Sequence, residues 1–248
     1  MSKLLTGRWL LKHLSILIVL IVLVNLGLWQ LRRLEERRTL NRNLTAALEQ
    51  APIPLTGETV DPDTLHFRRV SVTGTFDNAE TIVLRNQTSG DTPGLHLITP
   101  LKISGSETAV LVDRGWIPRG QADPEPASLN VYDLPGEVSL EGIAYRTQTR
   151  PSWLSPLDPP LKASQTRLSA WFRVDIERIQ EQLPYPLLPV FIRQLPAQTA
   201  VPDSLPRPES GVALSEGPHL GYALQWFSFA AILVITYGLL LRQELGKR

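Results

Sequence analysis

LSILIVLIVLVNLGLWQL, residues Leu14 to Leu31, contains no charged side chain. Wound as a helix it spans about 27 Å, close to the roughly 30 Å hydrocarbon core of a bilayer. A secretory signal peptide is the rival reading, but its apolar centre runs about 7–15 residues before a small-residue cleavage site. Here the run leads into Trp29, Gln30 and Arg32, so it reads as an uncleaved anchor. Near the C-terminus, LGYALQWFSFAAILVITYGLLL, Leu220 to Leu241, is again uncharged and is stopped by Arg242. Tyr222, Trp226 and Tyr237 suit its membrane–water interfaces or helix contacts.

Working outward from these runs, the chain divides into an N-terminus (1–13), a first transmembrane helix (14–31), an amphipathic helical extension (32–50), a β-rich domain (51–195), a Pro-rich linker (196–218), a second transmembrane helix (219–241) and a tail (242–248). Leucines 31, 34, 40, 44 and 48 among alternating charges mark the extension. Its arginines read as a solvated face or as partners for lipid phosphates. Two spans put both termini on one side of the membrane. Which side is a draw on charge: Lys3, Arg8, Lys12, Arg242, Lys247 and Arg248 favour cytoplasmic ends, whereas Arg32, Arg33, Arg37, Arg38 and Arg42 argue the other way.

Between the spans, short β-prone runs alternate with Gly, Pro, Asp and Asn: 67–76, 81–85, 95–103, 109–117, 138–145, 171–174 and 190–195. One short helix is expected at Ile176–Leu183, with Asp175 as its N-cap. Pro-rich stretches at 123–126, 151–160 and 196–208 read as loops or linkers. The expected fold class is a membrane protein with two transmembrane α-helices, one at each end, flanking a mainly-β soluble domain, a small antiparallel barrel or sandwich with one short helix.

Composition narrows the chemistry. The chain has 25 basic and 24 acidic residues and no cysteine, which gives no global attraction for nucleic acid and excludes disulfides, thiolate catalysis and Cys-ligated metals. GxSxG, HExxH, P-loop and GxGxxG signatures are missing. His66 and His96 with Asp113 form a possible but chance-prone metal set. In VLVDRGWIPRG, Val110 to Gly120, Asp113 and Arg114 read as ion-pair formers, Gly115 as a bulge residue and Trp116 as an anchor in the core or at an interface.

A more informative grouping lies at the membrane surface. His219, Tyr222 and Trp226 recur at i, i+3 and i+7, on one helix face, at the depth where the first span closes on Gly27, Trp29, Gln30 and Arg32. An imidazole there, opposite the Trp29 indole, suits haem, whose iron takes an axial nitrogen and whose body prefers lipid. The plainer reading is an aromatic belt and a hydrated histidine.

These residues carry a resemblance to the surfeit locus protein 1 family of cytochrome c oxidase assembly factors. Gly27 with Trp29-Gln30-Leu31-Arg32 resembles the family's closing motif of the first span, and Arg69-Val70 through Gly74-Thr75-Phe76 its first strand. Leu97, Thr99, Pro100 and Leu101, then Val110 to Pro118, are similar to its next strands. His219, Leu220, Tyr222, Ala223, Gln225, Trp226 and Phe227 resemble its second-span motif. Leu84-Arg85-Asn86-Gln87, Gly94-Leu95 and Glu216-Gly217-Pro218 depart from the common pattern. The resemblance implies a non-enzymatic factor of the cell membrane, with an extracytoplasmic domain and both termini cytoplasmic. It further implies binding of haem a or help with its insertion into subunit I, which with haem a synthase is an expected partner. By the same resemblance His219 is the candidate ligand to the haem iron. Trp29, Gln30, Tyr222 and Trp226 would lie near the ring and Arg32 near a propionate. The alternative is a cofactor-free membrane scaffold that docks on the nascent oxidase subunit.

Overall fold

The computed structural model describes residues 6–120, 126–149, 152, 156–158, 167–197, 204–209, 211–212 and 214–246. It divides into a helical unit, Met1–Thr45 with Ala213–Arg248, and a β unit, Ala46–Val212. Most of the Pro-rich stretches expected as loops at 123–126 and 151–160 lies outside the described residues.

In the helical unit, α1 (Gly7–Glu49) is one continuous helix. The uncharged run passes into the charged extension without Gly or Pro to break it, and it stops just before Pro52 and Pro54. Exposed pairs Arg33–Glu36 at 2.7 Å and Arg42–Glu35 at 2.8 Å line the extension. Helix α4, the last of the chain, runs His219–Gly246. Both α1 and α4 are long and apolar enough to cross a membrane, and few side chains of either span are buried within the protein.

In the β unit, β1 (Ile53–Pro54) and the single-turn α2 (Pro62–Leu65) precede the strands β2 (Arg69–Phe76), β3 (Ile82–Ser89), β4 (Thr92–Ile103), β5 (Ala109–Pro118) and β6 (Glu137–Arg146). After them come β7 (Ala170–Trp171), α3 (Ile176–Gln180) and β8 (Leu187–Gln194). Five strands close a barrel in the order β2-β6-β8-β5-β4, sealed by antiparallel β2–β4 pairing at Gly74↔Ile103, Thr75↔Lys102 and Phe76↔Leu101. Four of its seams are antiparallel, while β5 and β8 run parallel. Their connection is long enough for a crossover, and it contains α3.

The barrel interior draws on all five strands: Val70, Val72, Phe76, Leu101, Ile103, Val110, Val112, Leu140, Ala144, Leu188, Val190 and Ile192 pack together. A second cluster under α3 joins Ile82, Ile98, Leu111, Trp171, Ile176, Ile179 and Phe191. Strand β5 is therefore buried on both faces, so Val110-Leu111-Val112 reads as an unbroken apolar run rather than an alternating one. Helix α3 begins where the sequence predicts, with the Asp175 side chain accepting from the Arg178 N–H, but it ends at Gln180 rather than Leu183. The next turn is held by a Leu183 N–H to Gln180 carbonyl bond, ahead of Pro184.

Two bulges reshape the strands. In β3, Asn86 takes φ +60 between paired Leu84 and Gln87, so the strand continues to Ser89 instead of ending near Arg85. In β5, Asp113 pairs with Ile98 and Gly115 with Leu97, leaving Arg114 as the extra residue, with Gly115 at φ +116. A Cβ at Gly115 would lie 2.2 Å from the Arg207 carbonyl oxygen, so glycine is required there for approach as well as for φ.

Candidate functional site

Four side-chain contacts fix the packing of the helical unit. The Tyr237 hydroxyl bonds His13 Nδ1, Gly27 lies against the Phe227 ring, Gln30 Oε1 is 2.8 Å from His219 Nδ1, and Arg38 makes two bonds to Glu216 at 2.9 and 3.1 Å. Partners descend on α4 as they ascend on α1, so the helices form an antiparallel pair. From His13 to Gln30 the rise is about 25 Å, comparable to a hydrocarbon core. Small buried residues, Gly27 on one helix and Ala223 and Ala230 on the other, allow the close approach.

His219 opens α4 because Gly217-Pro218 precedes it. Gly217 adopts φ +69 and its N–H bonds Ser215 Oγ, and Pro218 supplies the first carbonyl of the helix, accepting from Tyr222 N–H. With the Gln30 amide oxygen facing it, Nδ1 is the donor of this hydrogen bond, and the neutral imidazole that can make it has its lone pair on Nε2. A Cβ at position 217 would stand 3.3 Å from Cδ2 and 3.4 Å from Nε2 of His219. Glycine places no side chain against that edge of the ring. A histidine whose Nδ1 is oriented by an amide oxygen could take a metal ion at Nε2.

The other anticipated site residues do not gather around it equally. Gln30 is buried in the helix pair and Trp226 is half-buried, whereas Trp29, Arg32 and Tyr222 are exposed. Two residues along a helix is a rotation of about 200°, so Gln30 and Arg32 project from nearly opposite sides of α1. The imidazole thus meets the Gln30 amide, not the Trp29 indole. On α4 the stripe facing α1 is His219, Ala223 and Phe227, with Tyr222 and Trp226 to one side of it.

Arg38 and Glu216, both exposed, escape a sequence reading because they are 178 residues apart and each resembles an ordinary solvated charge. The hydrogen bond from Arg38 holds the Glu216 carboxyl below the usual range, and Glu216 raises the Arg38 guanidinium. With the folded carboxyl depressed, its contribution is present above the ordinary glutamate pKa of about 4.3 and is lost as pH falls through the folded value. A double-mutant cycle of Arg38→Ala and Glu216→Ala on the thermal midpoint is expected to give favourable coupling at pH 7 that shrinks progressively as acid protonates Glu216. Coupling that grows on acidification, or is absent at pH 7, contradicts the assignment.

The β unit holds a second polar cluster. His96 Nδ1 is 2.9 Å from Asp113 Oδ2, and both side chains are buried. Arg193 Nε lies 3.5 Å from the same oxygen and its Nη1 2.7 Å from Glu209, which is also 3.7 Å from His96 Nε2. Residues 204–209 run past β5, with Arg207 and Trp116 exchanging backbone bonds of 2.8 Å. His66 is elsewhere, tilted against the Phe67 ring and edge-on to Tyr145, its own proton affinity lowered by burial and by Arg146. The metal set of His66, His96 and Asp113 is therefore not assembled. Among the described residues no three His, Cys, Asp or Glu side chains could hold a metal ion together. Asp113 forms the ion pairs expected of it, with His96 and Arg193, but Arg114 forms none among the described residues.

Fold and site define a membrane protein with an antiparallel pair of spanning helices and a five-stranded barrel in the chain between them. The model of the SURF1 family matches residues 17–231, and the chain belongs to that family. It is 27% identical over 244 residues to a SURF1-like protein of Monosiga brevicollis, covering 94% of this chain and 88% of that protein. It is 29% identical to a SURF1-like protein of Rickettsia bellii, with 90% and 88% covered, and 24% identical to surfeit locus protein 1 of Homo sapiens, with 87% and 73% covered.

Proposed function

We propose that this protein is an assembly factor for haem-copper cytochrome c oxidase that binds haem a through His219 and assists its insertion into subunit I. The family is known for oxidase assembly rather than catalysis. The observation that carries the haem reading is the imidazole itself, oriented by Gln30 through Nδ1, with no side chain at Gly217 to crowd Nε2. Haem a, as cargo, brings an iron that accepts an axial nitrogen and a porphyrin body compatible with lipid. Tyr222 and Trp226 flank His219 on α4 and would hold that body. Trp29 and Arg32, on other faces of α1, would meet it only at an edge, Arg32 through a propionate. In this reading the protein lies in the cell membrane with the barrel outside, both termini cytoplasmic, and subunit I and haem a synthase as neighbours.

The visible spectrum of the full chain, purified from cells that make haem a, tests the assignment. The wild type is expected to carry haem and His219→Ala to lose it. Gln30→Ala, which leaves the ligand but removes its orienting partner, is expected to weaken retention about 10–100-fold. His219→Ala protein with as much haem and an unchanged spectrum would overturn the ligand role. A haem-free variant that still crosslinks to subunit I would favour the scaffold alternative.

A further inference from the structure

The Arg-Gly-Trp turn of β5 is not used by the haem reading, yet it contains an unusual charge. Arg114 is 3% exposed. The bulge makes it the one residue of β5 without a ladder partner on β4, a device that re-aims a side chain. Its guanidinium has five N–H donors. It gives one to the Tyr132 carbonyl, makes a long 3.5 Å contact with Thr99 Oγ1, and lies 4.9 Å from the Phe76 ring centroid. All three are neutral. Burial pulls its proton affinity down to about 10, opposed by the charge of Asp133, an exposed residue. A buried cation without a paired anion is costly, and proteins normally supply the anion.

Arg114 also lines a cleft of about 230 Å³ with Val131, Tyr132, Asp133, Leu134 and Leu205 among its walls. Exposed apolar side chains stand on its rim, Val131 at 78%, Leu134 at 43% and Leu205 at 40%, beside the polar Asp133, Gln194 and Ser204. We propose that this cleft is a binding site for a small monocarboxylate on an apolar body, the carboxylate paired with Arg114 and the body against Val131, Leu134 and Leu205. A guanidinium matches a carboxylate in shape and charge. Asp133 also lines the cleft and opposes a second negative charge, so a monoanion fits better than a dianion or a phosphate. The site lies wholly in the barrel unit and does not depend on the role of His219.

Calorimetry on the full chain in neutral-lipid nanodiscs, with empty discs as the blank, tests this using octanoate, 4-phenylbutyrate and the uncharged 4-phenylbutanol. Saturable binding of an acid is expected, about tenfold or more tighter than the alcohol. The preferred acid tells an acyl from an aromatic body. Arg114→Met should lose the preference for acid over alcohol, and Asp133→Asn should tighten the acid severalfold. Equal affinity for 4-phenylbutyrate and 4-phenylbutanol, or no saturable binding of either acid, would overturn the proposal. If Arg114→Met fails to fold, Asp133→Asn still decides. An Asp133→Asn protein that is destabilised and binds no acid would make Asp133 the arginine's own counter-ion and the cleft no site.

Discussion

Phe191→Ala is expected to destabilise the barrel unit by about 3–5 kcal/mol, the range for deleting a fully buried aromatic side chain. Phe191 lies on β8, which pairs with β6 on one edge and β5 on the other, so its backbone cannot shift to fill a void without disturbing two seams. Its ring stacks on Tyr145 at 5.5 Å and packs with Ile98, Leu111, Trp171, Ile176 and Ile179. The outer wall of that pocket is α3, which is itself tied down. Asp175 caps it, and Thr147 Oγ1 accepts from the Ile176 N–H at 3.0 Å. With both walls held, the cavity persists and its energetic term is added to the lost transfer energy. For a domain of this size about 2–4 °C of midpoint accompanies each kcal/mol, so thermal unfolding should begin some 6–20 °C lower. Val131→Ala, at an exposed position, is the control and should move stability by no more than about 0.5 kcal/mol. A Phe191→Ala midpoint within a degree or two of the wild type would mean that the second core is not packed as described.

The same residues explain which features a bare sequence reveals. The spans are legible because a lipid-facing helix needs apolar side chains all round, and each uncharged run is long enough to cross a hydrocarbon core. The strand positions follow from β-branched runs, and the N-cap of α3 from Asp175 ahead of an apolar stripe. What is hidden depends on partners distant in the chain. Nothing local marks β5 and β8 as parallel neighbours, or Gly74 as the point where the barrel closes against Ile103. Asn86 reads as a strand terminator, since asparagine is poor in strands, but its tolerance of positive φ makes it a bulge residue instead. Ile53–Pro54 is too short to signal a strand and gains its place only by pairing with Val70 and Ser71. At the membrane, helical spacing groups His219 with nearby aromatics. It does not say which face of α1 meets them, and that face contains Gln30 rather than Trp29.

That face makes Gly27 the residue on which the helix pair most depends. Gly27→Leu is expected to abolish crosslinking between cysteines placed at Gln30 and His219, and separately, with those two residues intact, to abolish the haem retention proposed for His219. A Cβ at position 27 would lie 2.7 Å from both Cε1 and Cζ of Phe227, nearer than carbon atoms can pack. A ring can swing aside for one methyl group, so Gly27→Ala should keep most of the crosslinking and some haem. Leucine adds three more carbons in the same direction, and the helix across the contact has buried Ala223 one turn from Phe227, at a position that requires close approach. Overpacking of this kind costs about 1–3 kcal/mol in a core. A pair held by packing and a few hydrogen bonds, without a hydrophobic drive between its members in lipid, has little to offset that. Gln30 is one helical turn from Gly27, so separation there removes the amide from the imidazole before it affects His13 and Tyr237 at the other end. The chain has no cysteine of its own, which leaves the engineered thiols as the only ones the crosslinker can join. Full crosslinking in Gly27→Leu would mean that the helices meet along a different stripe, and the orientation of His219 by Gln30 would fall with it.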